Sequence, residues 1–345
     1  MRFDNALTAT ANQPNAARVY GQSNFTNSAP GTSATTMRFP ASVLVDSGDR
    51  LWVVDIGNNR VLRFNSVSTH TTNGVAASGV LGQLNFTSQN ALPLGANSID
   101  GPEGITMSSN GTLYVSDFER ILRFNNAAAL SNGANASGIL GQPSFTESTF
   151  GGTSANYTRG PSGLFITAND VLWVCDRSNH RMIYFNGAST KSNSTSPTTV
   201  LNGANGLLGQ SSFTRDLPNF SSSPQVVSDR GFNFNTQMLR PWVDANGALW
   251  VADSGNNRVL RFSLPSAAEL VSNALTINSA NQNQAVLSWP NSVPAGTRLM
   301  SSATMLPGSW VEVTQTPVIN GSTLSVTVTV PYLSRSKSFF RLQNP

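Results

Sequence analysis

The chain has 345 residues, of which 11% are charged, and a formal net charge of +4. An average globular protein has about 25% charged residues; here Asn, Ser, Thr, Gly and Ala fill the polar positions, a bias shared by secreted bacterial proteins. Lys and Arg form no run, which excludes a basic nucleic-acid-binding stripe, and no apolar run of about 18 residues suggests membrane insertion.

The first residues, MRFDNALTAT, contain no apolar leader run, so a secreted or cell-surface location expects a leader outside this sequence. A lone Cys175 excludes an internal disulfide framework. It stands where sister segments carry Val54, Ser116 and Ala252, and is expected to be a small buried residue.

Internal repetition organises residues 1–265. An apolar pair followed by Gly-Gln recurs as VYGQSNFT (19–26), VLGQLNFT (80–87), ILGQPSFT (139–146) and LLGQSSFT (207–214), the glycines lying 61, 59 and 68 residues apart. A second motif recurs as LWVVDIGNNRVLRFN (51–65), LYVSDFERILRFN (113–125), LWVCDRSNHRMIYFN (172–186) and LWVADSGNNRVLRFS (249–263). Period-two alternation and turn residues divide each unit into four strands. Strand a follows a proline, as in PASVLVD and PEGITMS; strand b is the LWV segment closed by Asp; strand c is VLRF; strand d is the apolar pair.

The D-x-G-N-N-R-V-L-R-F run, with Pro-x-Gly upstream, resembles the NHL repeat across residues 1–265. The resemblance implies an all-β fold, an NHL-type β-propeller with four visible blades where the family commonly has six. Arg2-Phe3 precedes Gly21 by the same 18 residues that separate Arg63-Phe64 from Gly82, so Met1 falls at the end of a strand c. The last blade shows strands a, b and c but no d before Pro265. Two readings follow: a four-blade ring closed by the N-terminal strand, or part of a larger propeller to which the extra strand c belongs. Pro241 precedes Asp253 by 12 residues, against 15 in the other units, so distortion is expected in the fourth blade.

Residues 266–345 alternate apolar and polar positions in AVLSWP, SWVEVTQ, LSVTVTV and SFFRL. That pattern predicts a small C-terminal β-sandwich-like domain. It resembles fibronectin-III-like or immunoglobulin-like modules, with Trp289 and Trp310 expected in its core.

Some NHL-type propellers are lyases with histidine-bound metal in the central channel, so the resemblance raises metal catalysis. The two histidines are separated, His70 in a c–d connection and His180 in a b–c turn, and a metal centre needs three or four convergent ligands. Asp55, Asp117, Asp176 and Asp253 recur at one repeat position beside a turn they can cap; Arg60, Arg181 and Arg258 recur nearby and are expected to pair with those acids or to pack on neighbouring blades. No nucleophile or phosphate-loop motif is present, and no cofactor is expected.

Long d–a loops are the expected binding face. Arg38, Asp100, Arg159 and Arg240 each stand immediately before strand a and form a candidate rim at the channel mouth, where guanidinium forks suit carboxylate, sulfate or phosphate. Phe150, Tyr157, Phe220, Phe232 and Phe234 either contact a sugar or protein partner or plug the loops onto the scaffold. The sequence thus predicts a non-enzymatic extracellular or cell-surface binding or scaffold protein with a protein or glycan partner and no nucleic acid. The alternative is a metal-dependent propeller lyase or hydrolase acting in the central channel.

Overall fold

Successive side chains of a strand point to opposite faces, and where both are apolar, as Tyr114 and Val115 are, the protein stacks sheet on sheet. The computed structural model describes residues 1–4, 14–147, 153–191, 203–220, 227–235, 239–263, 276–281, 284–290, 298–302, 311–320, 323–329 and 339–343. The chain divides into two units, Met1–Phe262 and Ser263–Pro345.

In the first unit, β1 (Pro40–Val45), β2 (Leu51–Asp55), β3 (Arg60–Phe64) and β4 (Gly79–Leu81) form one four-stranded sheet in that order. The second sheet is β5 (Pro102–Met107), β6 (Leu113–Asp117), β7 (Arg120–Phe124) and β8 (Gly138–Leu140). The third is β9 (Pro161–Ile166), β10 (Val171–Asp176), β11 (Arg181–Asn186) and β12 (Gly206–Leu208). The fourth has three strands, β13 (Trp242–Val243), β14 (Ala248–Asp253) and β15 (Arg258–Ser263). Neighbouring strands within these sheets are antiparallel, so each repeat is an up-and-down sheet, as strand and turn patterning implied.

The core lies between successive sheets. Trp52, Val54 and Val61 of the first pack with Ile105, Val115 and Leu122 of the second. Tyr114 and Ile121 of the second pack with Leu164, Val174 and Ile183 of the third.

The closed four-blade propeller is not what forms, because no sheet closes into a ring. The strand expected to complete the fourth sheet is engaged elsewhere: Arg18 pairs with Arg2 in an antiparallel bridge. That is the counterpart of Arg63 opposite Gly79 in the first sheet, so the local partner takes the hydrogen-bonding edge that ring closure requires. The Arg2 guanidinium then donates to the Val67 carbonyl at 2.7 Å, fastening this segment beside the first sheet. The fourth sheet stays three-stranded, and β13 has two residues where β1 has six.

In the second unit, β16 (Thr276–Asn281), β17 (Gln284–Pro290), β21 (Thr323–Thr329) and β20 (Val318–Asn320) form one sheet. β19 (Val311–Glu312), β18 (Arg298–Ser302) and β22 (Phe339–Gln343) form another. Leu287, Trp289, Val326 and Val328 of the first meet Leu299 of the second in one apolar cluster. Trp310 lies outside the described residues.

Candidate functional site

One carboxylate anchors each repeat. Asp176 accepts Arg181 Nε on Oδ2 at 2.7 Å and the backbone N–H of Arg159 on Oδ1 at 2.7 Å. The remaining Arg181 nitrogens donate to the carbonyls of Phe213, Ser154 and Tyr157. Asp55–Arg60, Asp117–Arg120 and Asp253–Arg258 repeat the pair at 2.7 Å. Burial pushes the Asp117 carboxyl up to about 6 against the pull of Arg120, and raises Asp176 for the same reason. These charges hold d–a loops to b–c turns.

The same anchor fixes the residues that the sequence offered as a rim. Asp55, Asp117 and Asp176 bind the backbone N–H of Arg38, Asp100 and Arg159, each 17 residues earlier. In the fourth sheet Asp253 binds Asn233, 20 residues earlier, so Asn233 and not Arg240 is the structural counterpart. Arg38 and Arg159 are exposed and Asp100 is half-buried. Arg240 instead lines a cleft of about 190 Å³ along the inner strands, together with Ser42, Glu103 and Ser162. Arg177, which the sequence reading passed over, reaches Glu103 with N···O 3.5 Å; the only sequence signal was an arginine opening a turn where sisters have Ile56 and Ser254.

The residue after Arg38 is a second omission. Phe39 holds a left-handed φ of 53°, where its sisters are Gly101 and Gly160 at 56° and 58°. A bulky side chain there is a genuine outlier. Its ring is 68% exposed, with the Arg38 guanidinium carbon 5.8 Å from the centroid. Phe118, in the b–c turn of the second sheet, also has positive φ and an exposed ring. Phe-Pro in place of Gly-Pro was the legible signal.

Among the predicted loop aromatics, Phe232 and Phe234 are buried and stacked, with centroids 4.8 Å apart. Phe232 also meets Phe262 edge-on at 5.6 Å, which places it under the loop as a plug. Tyr157 is half-buried, with its carbonyl on Arg181. Phe150 lies outside the described residues, as does the side chain of Phe220.

The last residue of each of the first three b–c turns staples one sheet to the next. Asn59 accepts the N–H of Gly101 at 2.9 Å, Glu119 that of Gly160 at 3.3 Å, and His180 Nδ1 that of Phe234 at 3.0 Å. Burial lowers the His180 pKa, which suits this acceptor role. His70 Nδ1 shares a hydrogen bond with the Tyr20 hydroxyl at 3.0 Å. Among the described residues no three His, Cys, Asp or Glu side chains converge on a metal position. Cys175 is fully buried, and burial pushes its thiol up to about 12.

Fold and site together define a class: an all-β, propeller-like protein of serially stacked antiparallel sheets. No family model and no curated protein matches the chain. Among solved structures it is similar to a streptogramin B lyase at 12% identity, over 72% of this chain and 61% of that one, with a TM-score of 0.31. It is also similar to virginiamycin B lyase from Staphylococcus aureus at 12% identity, over 79% and 69% of the two chains, with a TM-score of 0.32. PorZ, a surface component of the type-IX secretion system of Porphyromonas gingivalis, is 13% identical over 90% of this chain and 39% of its own, with a TM-score of 0.42. The chain spans less than two thirds of the streptogramin B lyase, and likenesses this distant carry no activity across.

Proposed function

We propose that the chain is a non-enzymatic extracellular or cell-surface binding protein that takes a protein or glycan partner on its d–a loop face. The observation that carries this reading is Phe39, a strained and exposed aromatic beside an exposed arginine at the end of a loop that Asp55 anchors. Backbone strain of this kind costs about 1–3 kcal/mol and is concentrated at clamps and binding sites. An aromatic face stacks on the apolar side of a sugar ring, and the adjacent guanidinium pairs with a carboxylate. The low charge content supports the extracellular assignment.

Arrays of acidic glycans and extracellular proteins, followed by titration of the Phe39→Gly and Arg38→Ala variants, test it. Phe39→Gly should weaken binding at least about tenfold while stabilising the fold by about 1 kcal/mol, the opposite of what a packing residue does. Binding unchanged in both variants overturns the assignment.

A further inference from the structure

We propose that the outward face of the fourth sheet docks a second copy of this chain, head to tail, onto that copy's first sheet. The contact is one the chain already makes internally. Val61, Ile121 and Met182 occupy one position of the forward-packing face and are 0% exposed, whereas their counterpart Val259 is 62% exposed. Trp52 is 1% exposed and its counterpart Trp250 39%. Ala252 is also exposed, so among the described residues the fourth sheet exposes apolar positions that its three sister sheets bury.

The polar half of the contact is present as well. Arg63 and Arg123 donate to carbonyls of the c–d turn on the following sheet, at Ala127 and at Ala188 and Lys191. Arg261 is their counterpart, and its position is exposed. Asn257 is the counterpart of the stapling Asn59, Glu119 and His180. The receiving surface on the first sheet demonstrably accepts such an arginine, because Arg2 already donates to Val67 there.

Both halves are therefore carried by one chain, which is the condition for a heterologous contact between copies. Met1–Asp4 and residues 14–20, joined by the Arg2–Arg18 bridge, lie where the outer strands of a preceding sheet would, and Val43 and Val45 of β1 are exposed. β13, β14 and β15 provide the inner strands that would cover them. In the pair, β15 of one copy displaces Arg2 of the other, and Arg261 stands opposite Arg18 as Arg63 stands opposite Gly79.

Sedimentation or light scattering of the full chain across concentrations should show a mass at least twice that of one copy. Val259→Arg should return it to a single copy with an unchanged thermal midpoint, since Val259 is exposed within one copy. In the double variant Arg18→Cys, Arg261→Cys, oxidation should link two chains. A wild-type chain that stays single, alone or carrying a different polypeptide, overturns the proposal. So does association that survives Val259→Arg, or a cross-link closed within one chain.

Discussion

Glu119 Oε2 accepts the backbone N–H of Gly160 at 3.3 Å, tying the b–c turn of the second sheet to the loop that enters the third. The carboxyl is buried, and burial pushes its pKa from 4.5 up to about 7. A group raised in the folded state contributes stability that is complete below its unfolded pKa and lost as pH rises through the folded one. The thermal midpoint should therefore fall between about pH 4.5 and pH 7, with Asp117, pushed up to about 6, acting in the same direction. Glu119→Gln keeps the acceptor oxygen and removes the charge. Melting curves at stepped pH should show a shallower decline for the variant and a higher midpoint than wild type at alkaline pH.

The buried ion pairs differ in how far water reaches them. Arg181 and Asp176 are both fully buried, whereas the Arg258 side chain facing Asp253 is 26% exposed. Removing one member of a buried pair leaves an uncompensated charge and costs about 3–5 kcal/mol. Arg181→Ala should approach that figure in denaturant titrations. Arg258→Ala should cost less, about 2 kcal/mol, because water already reaches the Arg258 side chain although Asp253 stays buried. Equal losses would mean that the carboxylate, not its partner, carries the anchor.

Two glycines with similar backbone separate conformational cost from steric cost. Gly82 has φ +86° and a side chain there would meet Ile99 at 2.6 Å; Gly111 has φ +81° with open space around it. Gly111→Ala should cost about 1–2 kcal/mol from the left-handed backbone alone. Gly82→Ala adds overpacking against the next sheet and should cost about 3 kcal/mol in all. Equilibrium unfolding of the two variants gives the difference directly.

The strand pattern was legible because its signals are local. Alternation, Asn-Asn and Ser-Gly turns and the recurring Asp identified every strand of the first three sheets; of the two roles open to Arg60 and Arg181, the structure shows pairing with the Asp, and Arg120, three residues after its Asp and not five, pairs as well. The loop positions that precede each first strand were legible only in part. Counting back from proline selected Arg240, but Asn233 takes the position because Asp253 binds its N–H and the Phe232 ring before it fills the space under Gly209. Burial and hydrogen bonding set that loop's register, and neither is written in the distance to a proline.

The sequence by itself determined the repeating antiparallel sheet and the recurring Asp of each repeat, since each depends on residues close together in the chain. Only the tertiary structure decided where residues 17–19 pair. Backbone N–H and C=O groups are the same in every residue, so an edge strand is matched by geometry and not by side-chain identity. Arg18 met Arg2 nearby, the ring stayed open, and Val259 was left on the surface where its three counterparts are core.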